Sequence, residues 1–426
     1  MTAITPTLLA AETAPINGLR HLLPFVEPHK PLIWIRDEEE LAGIGSCLRL
    51  EFSGPTRFTD AAAHWRTIAA EARVADQIGV PGTGLVAFGT FAFSDRSREQ
   101  SVLIIPEIVL GRREGVSWVT RIRAIKSDEN GTEQPNAAAV TATPPQPHPL
   151  GTKYRTSFAP GAMHSDAYRS AVATTVDLIR QHRLAKAVIA RDIVGHLPPQ
   201  SDLRHAVGTL AARYQDTWTF AVDGLIGSSP ETLVSVDRTT VRARVLAGTI
   251  ARGANDVADH EAAVALASSV KDHDEHEFAV QSVFSALRRH SADLTQSAEP
   301  FALKFPNLWH LATDVVGTLS DGSSSLDLIS ALHPTAAVAG TPTVDALNLI
   351  EELEPFDRGR YAGPVGWVDA NGNGDWAVAL RCAQITSNGD VTAYAGAGIV
   401  DGSEPGREFN ETRMKFRPII EAFTEN

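Results

Sequence analysis

The feature that most constrains the fold is residues 363–400, "GPVGWVDANGNGDWAVALRCAQI" followed by "SNGDVTAYAGAGIV". Apolar runs with strand alternation flank two Asn-Gly turn signals, so the stretch predicts consecutive antiparallel strands. Similar runs recur upstream in "PLIWI", "SVLIIPEIVL", "KAVIARDIV", "TWTFAVDGL" and "RTTVRARVLAGTI". Helical spacing appears in "DAAAHWRTIAAEARVA" and in "SDAYRSAVATTVDLIRQHRL", with Ser165 as a cap candidate. One long polar-faced helix is predicted from about 258 to 289, and a last one over roughly 404–423 that Pro418 should kink or end early. The class is α+β. The Pro- and Ala-rich segment 134–151 reads as a surface loop, because no change of composition follows it.

A chain of 426 residues with 43% hydrophobic content can bury a large core. A net charge of −13 argues against a general nucleic-acid or membrane-surface binder. Two distant cysteines, Cys47 and Cys382, signal neither a zinc cluster nor a disulfide framework. With no signal-peptide pattern and no long apolar run, a cytoplasmic protein is expected.

The heptapeptide "KDHDEHE" (271–277) puts four carboxylates and two imidazoles into seven residues. On a helix, Asp272, Glu275 and His276 share one face, while Asp274 and Glu277 point elsewhere. Hard oxygen donors suit Mg²⁺; the same spacing also fits an ordinary acidic surface helix. In "GREFNETRMKF", Glu408, Glu411 and Lys415 share a face and repeat the acidic pair, whereas Phe409, Phe416, Ile420 and Phe423 form the opposite, buried one. Two such helices can clamp one divalent ion; a plain Glu411–Lys415 surface pair is the alternative. If "WAVALRCAQ" is one strand, Arg381 stands among alanines with room for a carboxylate ligand, or else faces solvent. Gly396 and Gly398, and Gly248-Thr249, put glycine into strands, where it serves close approach of a ligand or backbone. Lys186 shares a strand face with Val188 and Ala190, and an amine held in a dry interior is a usable base. Glu231, after the turn in "GSSPETL", is the complementary acid, or simply a turn residue.

Taken in order, "LAKAVIARD", "GSSPETL", "LAGTIARG", "SSVKDHDEHEFAVQSV", "LWHLATDVVGTL", "LHPTAAVAGTPT", "ELEPFDRGRYAGPVGWV", "YAGAGIV" and "EFNETRMKF" resemble the chorismate-utilising enzymes, isochorismate synthases most of all. The resemblance covers about 160 to 424. It implies one large chorismate-binding domain of two extensive antiparallel sheets with helices outside. Residues 151–426 would be its catalytic core and 1–150 a divergent N-terminal part of the same fold. It implies Lys186 as the base that activates water for attack at C2 of chorismate, and Glu231 as the acid that protonates the departing C4 hydroxyl. Glu275 and Glu411 would ligate Mg²⁺, with Asp272 and Glu408 as their supporting carboxylates. Arg381, Lys415 and the backbone at Gly396 would bind the enolpyruvyl carboxylate, with Gly248, Thr249 and His310 as further lining.

Ammonia-using relatives carry Gln where this chain has Lys186, and aminodeoxychorismate synthases a nucleophilic Lys where it has Ala247. Both differences speak for water as nucleophile and against a glutamine amidotransferase partner. Salicylate synthase, which goes on to eliminate pyruvate, is the runner-up; its relatives lack the "LHPT" and "EPFDR" stretches. A monomer is expected. The destination of the product stays open among menaquinone, a catecholate siderophore and salicylate.

Overall fold

The computed structural model describes residues 8–125, 143–305 and 308–424. Its strands form two sheets of thirteen and ten strands. Among the described residues every ladder is antiparallel except Leu9–Pro15 against Arg73–Asp76. The thirteen-stranded sheet runs from Lys186–His196 through Asp390–Ile399, Cys382–Ile385, Leu225–Ser229 and Trp218–Val222 into Leu32–Arg36, Glu39–Ile44 and beyond. The ten-stranded sheet includes Leu308–Thr318, Thr240–Ala251, Thr232–Asp237, Gly374–Val378, Pro364–Asp369 and Val86–Thr90 in that order. Strands from the first 125 residues thus lie in both sheets.

The meander 363–400 is present with a modification. Pro364–Asp369 and Gly374–Val378 pair in the ten-stranded sheet, but Cys382–Ile385 and Asp390–Ile399 pair in the other. Residues Ala379–Arg381 carry the chain across. "SVLIIPEIVL" divides in the same way: Ser101–Ile105 and Ile108–Arg113 belong to different sheets, with Pro106, which lacks an N–H, between them. The main core lies between the sheets, and Trp118, Trp367 and Trp376 are completely buried in it.

Three helical expectations change. The predicted 258–289 helix is two helices, Asp256–Ala267 and Val270–Leu287. Ser269 leaves helical geometry and accepts a hydrogen bond from the Asp272 N–H, so it caps the second helix. Ser165 is the first residue of the Ser165–Arg180 helix and supplies no cap; the capping position falls to His164. The last helix, Pro405–Thr424, continues past Pro418. A proline inside a helix costs about 3 kcal/mol, and here Phe416, Ile419, Ala422 and Phe423 bury one face on both sides of it. That packing outweighs the cost. Ile420 is exposed and Ile419 takes the buried place assigned to it by spacing. Of the loop segment, residues 126–142 lie outside the described part, and 143–151 has no regular structure.

Candidate active site

Two sheet crossings lie side by side. The chain leaves Leu225–Ser229, crosses at Pro230-Glu231, and enters Thr232–Asp237; it returns from Gly374–Val378 to Cys382–Ile385 through Ala379–Arg381. The incoming and outgoing strands pair within each sheet, so the crossings are held together. The Val378 N–H donates to the Glu231 carbonyl at 3.1 Å, the Ser228 N–H to the Arg381 carbonyl at 3.1 Å, and the Ser229 hydroxyl to the Val378 carbonyl at 2.6 Å. Arg381 is therefore not a mid-strand residue. It sits at φ +49°, a conformation uncommon for a side chain larger than glycine.

Both side chains line a cavity of about 590 Å³. The cavity also gathers Gly248, Thr249, Asp272, His310, Gly396, Glu408, Glu411 and Lys415, so nearly the whole set read from the sequence meets at one place. Lys186 is completely buried at the start of its strand, two residues from the lining residue Val188. It lies near enough to influence Glu231 electrostatically. Glu275 is on the Val270–Leu287 helix, but its side chain lies outside the described residues. Asp274 and Glu277 are exposed, as expected, and His276 is buried with its Nε2 2.7 Å from the Thr313 hydroxyl.

Gly248 explains why that strand carries a glycine. It occupies a bulge between the Ala247–Leu311 and Thr249–His310 pairs at φ +76°. A Cβ there would stand 3.0 Å from the Asp272 Cβ, so the bulge lets the acidic helix approach the sheet. Across the ladder His310 places Nδ1 3.1 Å from the Gly248 carbonyl and 3.0 Å from the Thr249 hydroxyl. A carbonyl only accepts, so Nδ1 carries the hydrogen and Nε2 is left as an acceptor. Burial, with Arg381 and Lys415 nearby, drives the His310 pKa well below its ordinary value and keeps the ring neutral.

Three elements supply the charges: Asp272 comes from the Val270–Leu287 helix, Glu408, Glu411 and Lys415 from the Pro405–Thr424 helix, and Arg381 from the crossing between sheets. The Lys415 ammonium donates to the Gly396 carbonyl at 2.9 Å and pairs with Glu411 at 2.6 Å. The Glu411–Lys415 pair is thus real, yet both partners line the cavity rather than open surface. Burial pushes Glu231 up to about 7, against the opposing pull of Lys186, Arg381 and Lys415. Among the described residues no three His, Cys, Asp or Glu side chains converge to hold an ion by themselves. Carboxylates that do not close a shell by themselves suit an ion that keeps water or ligand oxygens in its shell, as Mg²⁺ does.

Sequence reasoning missed several lining residues, among them Val338, Tyr361, Asn410 and Met414. Asn410 and Met414 were within reach, since they fall on the helix that bears Glu411 and Lys415.

Known proteins similar to this chain fall in one family. The family described as "Chorismate binding enzyme" matches residues 9–424. The isochorismate synthase MenF of Bacillus subtilis is 34% identical over 264 residues, which are 61% of this chain and 56% of that protein. The salicylate biosynthesis isochorismate synthase of Pseudomonas aeruginosa is 31% identical over 445 residues, 98% of this chain and 90% of that one. The structure of MenF, the menaquinone-specific isochorismate synthase of Escherichia coli, superposes with a TM-score of 0.74 at 23% identity, covering 98% of this chain and 96% of that one. At that identity it speaks for the fold alone.

Proposed function

The chain belongs to the chorismate-binding enzyme family, and on that premise we propose that it is an isochorismate synthase, an isomerase acting on chorismate. Water adds at C2, the two ring double bonds shift, and the C4 hydroxyl leaves as water, so the atoms balance. Lys186 takes the proton from the attacking water. Glu231 gives a proton to the departing hydroxyl. The observation that carries this reading is Glu231: a buried carboxyl with its pKa pushed up to about 7 holds a transferable proton near neutrality. Arg381 and Lys415 receive the enolpyruvyl carboxylate, and His310 offers Nε2 as an acceptor in the cavity wall. A hydrated Mg²⁺ fits the carboxylate set; Glu411 and Glu275 would hold it, with Asp272 and Glu408 binding its waters, and it would neutralise the ring carboxylate. The protein works without an amidotransferase partner and as a monomer.

Incubation with chorismate and Mg²⁺ in ¹⁸O-water tests the reaction. Isochorismate carrying ¹⁸O on the new ring hydroxyl is expected. Salicylate with pyruvate would make the chain a salicylate synthase, and unlabelled isochorismate would overturn water attack at C2.

A further inference from the structure

The segments "LHPTAAVAGT" and "ELEPFDR" have no chemical role in the reading above. They meet at a buried ion pair. Arg358 donates to the Glu354 carboxylate from Nε at 2.8 Å and from Nη2 at 2.6 Å. It also donates from Nη1 to the Val338 carbonyl at 2.9 Å and from Nη2 to the Val188 carbonyl at 2.7 Å. Glu354 Oε1 in turn accepts from the Ala190 N–H at 2.8 Å. The Phe93 ring covers the guanidinium at 4.5 Å.

The place of the pair in the sheet gives it meaning. One edge of Lys186–His196 pairs along its length with Asp390–Ile399. Among the described residues the other edge pairs with Gly340–Thr341 at residues 186–187, a contact that the Val188 N–H extends to the Ala339 carbonyl at 2.8 Å, and with Ala159–Pro160 at 193–194, next to which the Asp192 carbonyl accepts from the Gly161 N–H at 3.1 Å. The Val188 carbonyl and Ala190 N–H fall in the gap, and the Glu354–Arg358 pair satisfies both. A buried ion pair adds little net stability compared with apolar residues of equal volume, but apolar residues would leave these two backbone groups unpaired. The pair stands in for a missing strand immediately after Lys186. Gly340 completes the clamp, since a Cβ there would stand 2.1 Å from the Lys186 carbonyl oxygen.

We propose that Glu354 and Arg358 are positioning residues that fix the strand bearing Lys186 and so hold its amine in line with the cavity. The proposal rests on Lys186 being the base. Its test is a double-mutant cycle on the full chain. Arg358→Lys keeps the charge but loses the planar fork. In a variant that melts as a folded protein, kcat is expected to fall by roughly 10²-fold, the cost of a displacement of about 1 Å, with KM within about threefold of wild type. In a Lys186→Ala background the same change should alter the residual rate less than about twofold, because what it positions is gone. Unchanged kcat in folded Arg358→Lys, or a full additional loss in the Lys186→Ala background, would overturn the proposal. Should Arg358→Lys not fold, Glu354→Gln, which retains an oxygen for the Ala190 N–H, is read by the same two measurements. Wild-type turnover by Lys186→Ala alone would overturn the assignment of the base itself, separately from the clamp.

Discussion

Glu231 and Arg381 occupy neighbouring crossings between the two sheets, and the backbone of each is tied to a strand on the other's path: Glu231 O to Val378 N, Arg381 O to Ser228 N. An acid and a cation are thereby delivered to one cavity by strand ends, whose positions the sheets fix. This arrangement supports precise placement without a long loop.

The acid gives a pH prediction. Glu231 must be protonated to act, so kcat/KM should fall as pH rises through about 7. Glu231→Gln should lose roughly 10²–10⁴ in rate and show no such falling limb. A wild-type profile flat from pH 6 to 8.5 would remove Glu231 from the role.

The same residue bears on stability. Its folded pKa lies above the ordinary carboxyl value, so between about 4.5 and 7 the native state holds a proton that the unfolded chain has released. Its contribution is full below that window and is lost as pH rises through it. Glu231→Gln, which cannot ionise, should therefore gain stability relative to wild type at pH 8 more than at pH 4.5. Urea denaturation at the two pH values measures this.

Arg381→Lys should raise KM for chorismate by roughly tenfold or more, since an ammonium cannot reproduce a two-point guanidinium contact. Steady-state kinetics at saturating Mg²⁺ decide it, and an unchanged KM would place the substrate carboxylate elsewhere.

Dialysis against EDTA should abolish turnover and Mg²⁺ should restore it. Glu411→Gln should raise the Mg²⁺ concentration required and weaken chorismate binding with it, both read by titration calorimetry. Full turnover in metal-stripped protein would contradict the assignment.

Gly248→Ala should be costly despite its small size. The backbone there is left-handed and the added methyl meets Asp272. A destabilisation of about 1–2 kcal/mol is expected from the backbone alone, with a further loss of Mg²⁺ affinity as the acidic helix shifts. Thermal melting and metal titration report the two effects.

Much of this was legible in the sequence. Two-residue periodicity and Asn-Gly turns gave the antiparallel sheets, and the order of short motifs gathered residues that the fold places in one cavity. Arg381 shows the limit. Alternation runs unbroken through "WAVALRCAQ", with no glycine or proline to announce that the strand ends at Val378 and the chain changes sheets. The positive φ is imposed by pairing on both sides, which is tertiary information. The break at Ser269 is the opposite case: Ser269 three residues before Asp272 is a recognisable helix start, hidden inside a pattern that also suits a continuous helix. Glu354 and Arg358 stand four apart in "ELEPFDR", but neither their pairing nor the strand gap they fill can be read from those letters.

The shared ladders set a limit on dissection. Val86–Thr90 pairs with Pro364–Asp369, and Leu32–Arg36 pairs with Trp218–Val222. The motif-poor first third therefore closes seams in both sheets that the motif-rich remainder leaves open. Expressed alone, residues 151–426 would present two raw sheet edges, ready templates for strand-to-strand association. Those seams are backed by buried side chains of the same first third, Trp34, Phe88 and Trp118 among them, so it cannot be cut away without opening the core as well.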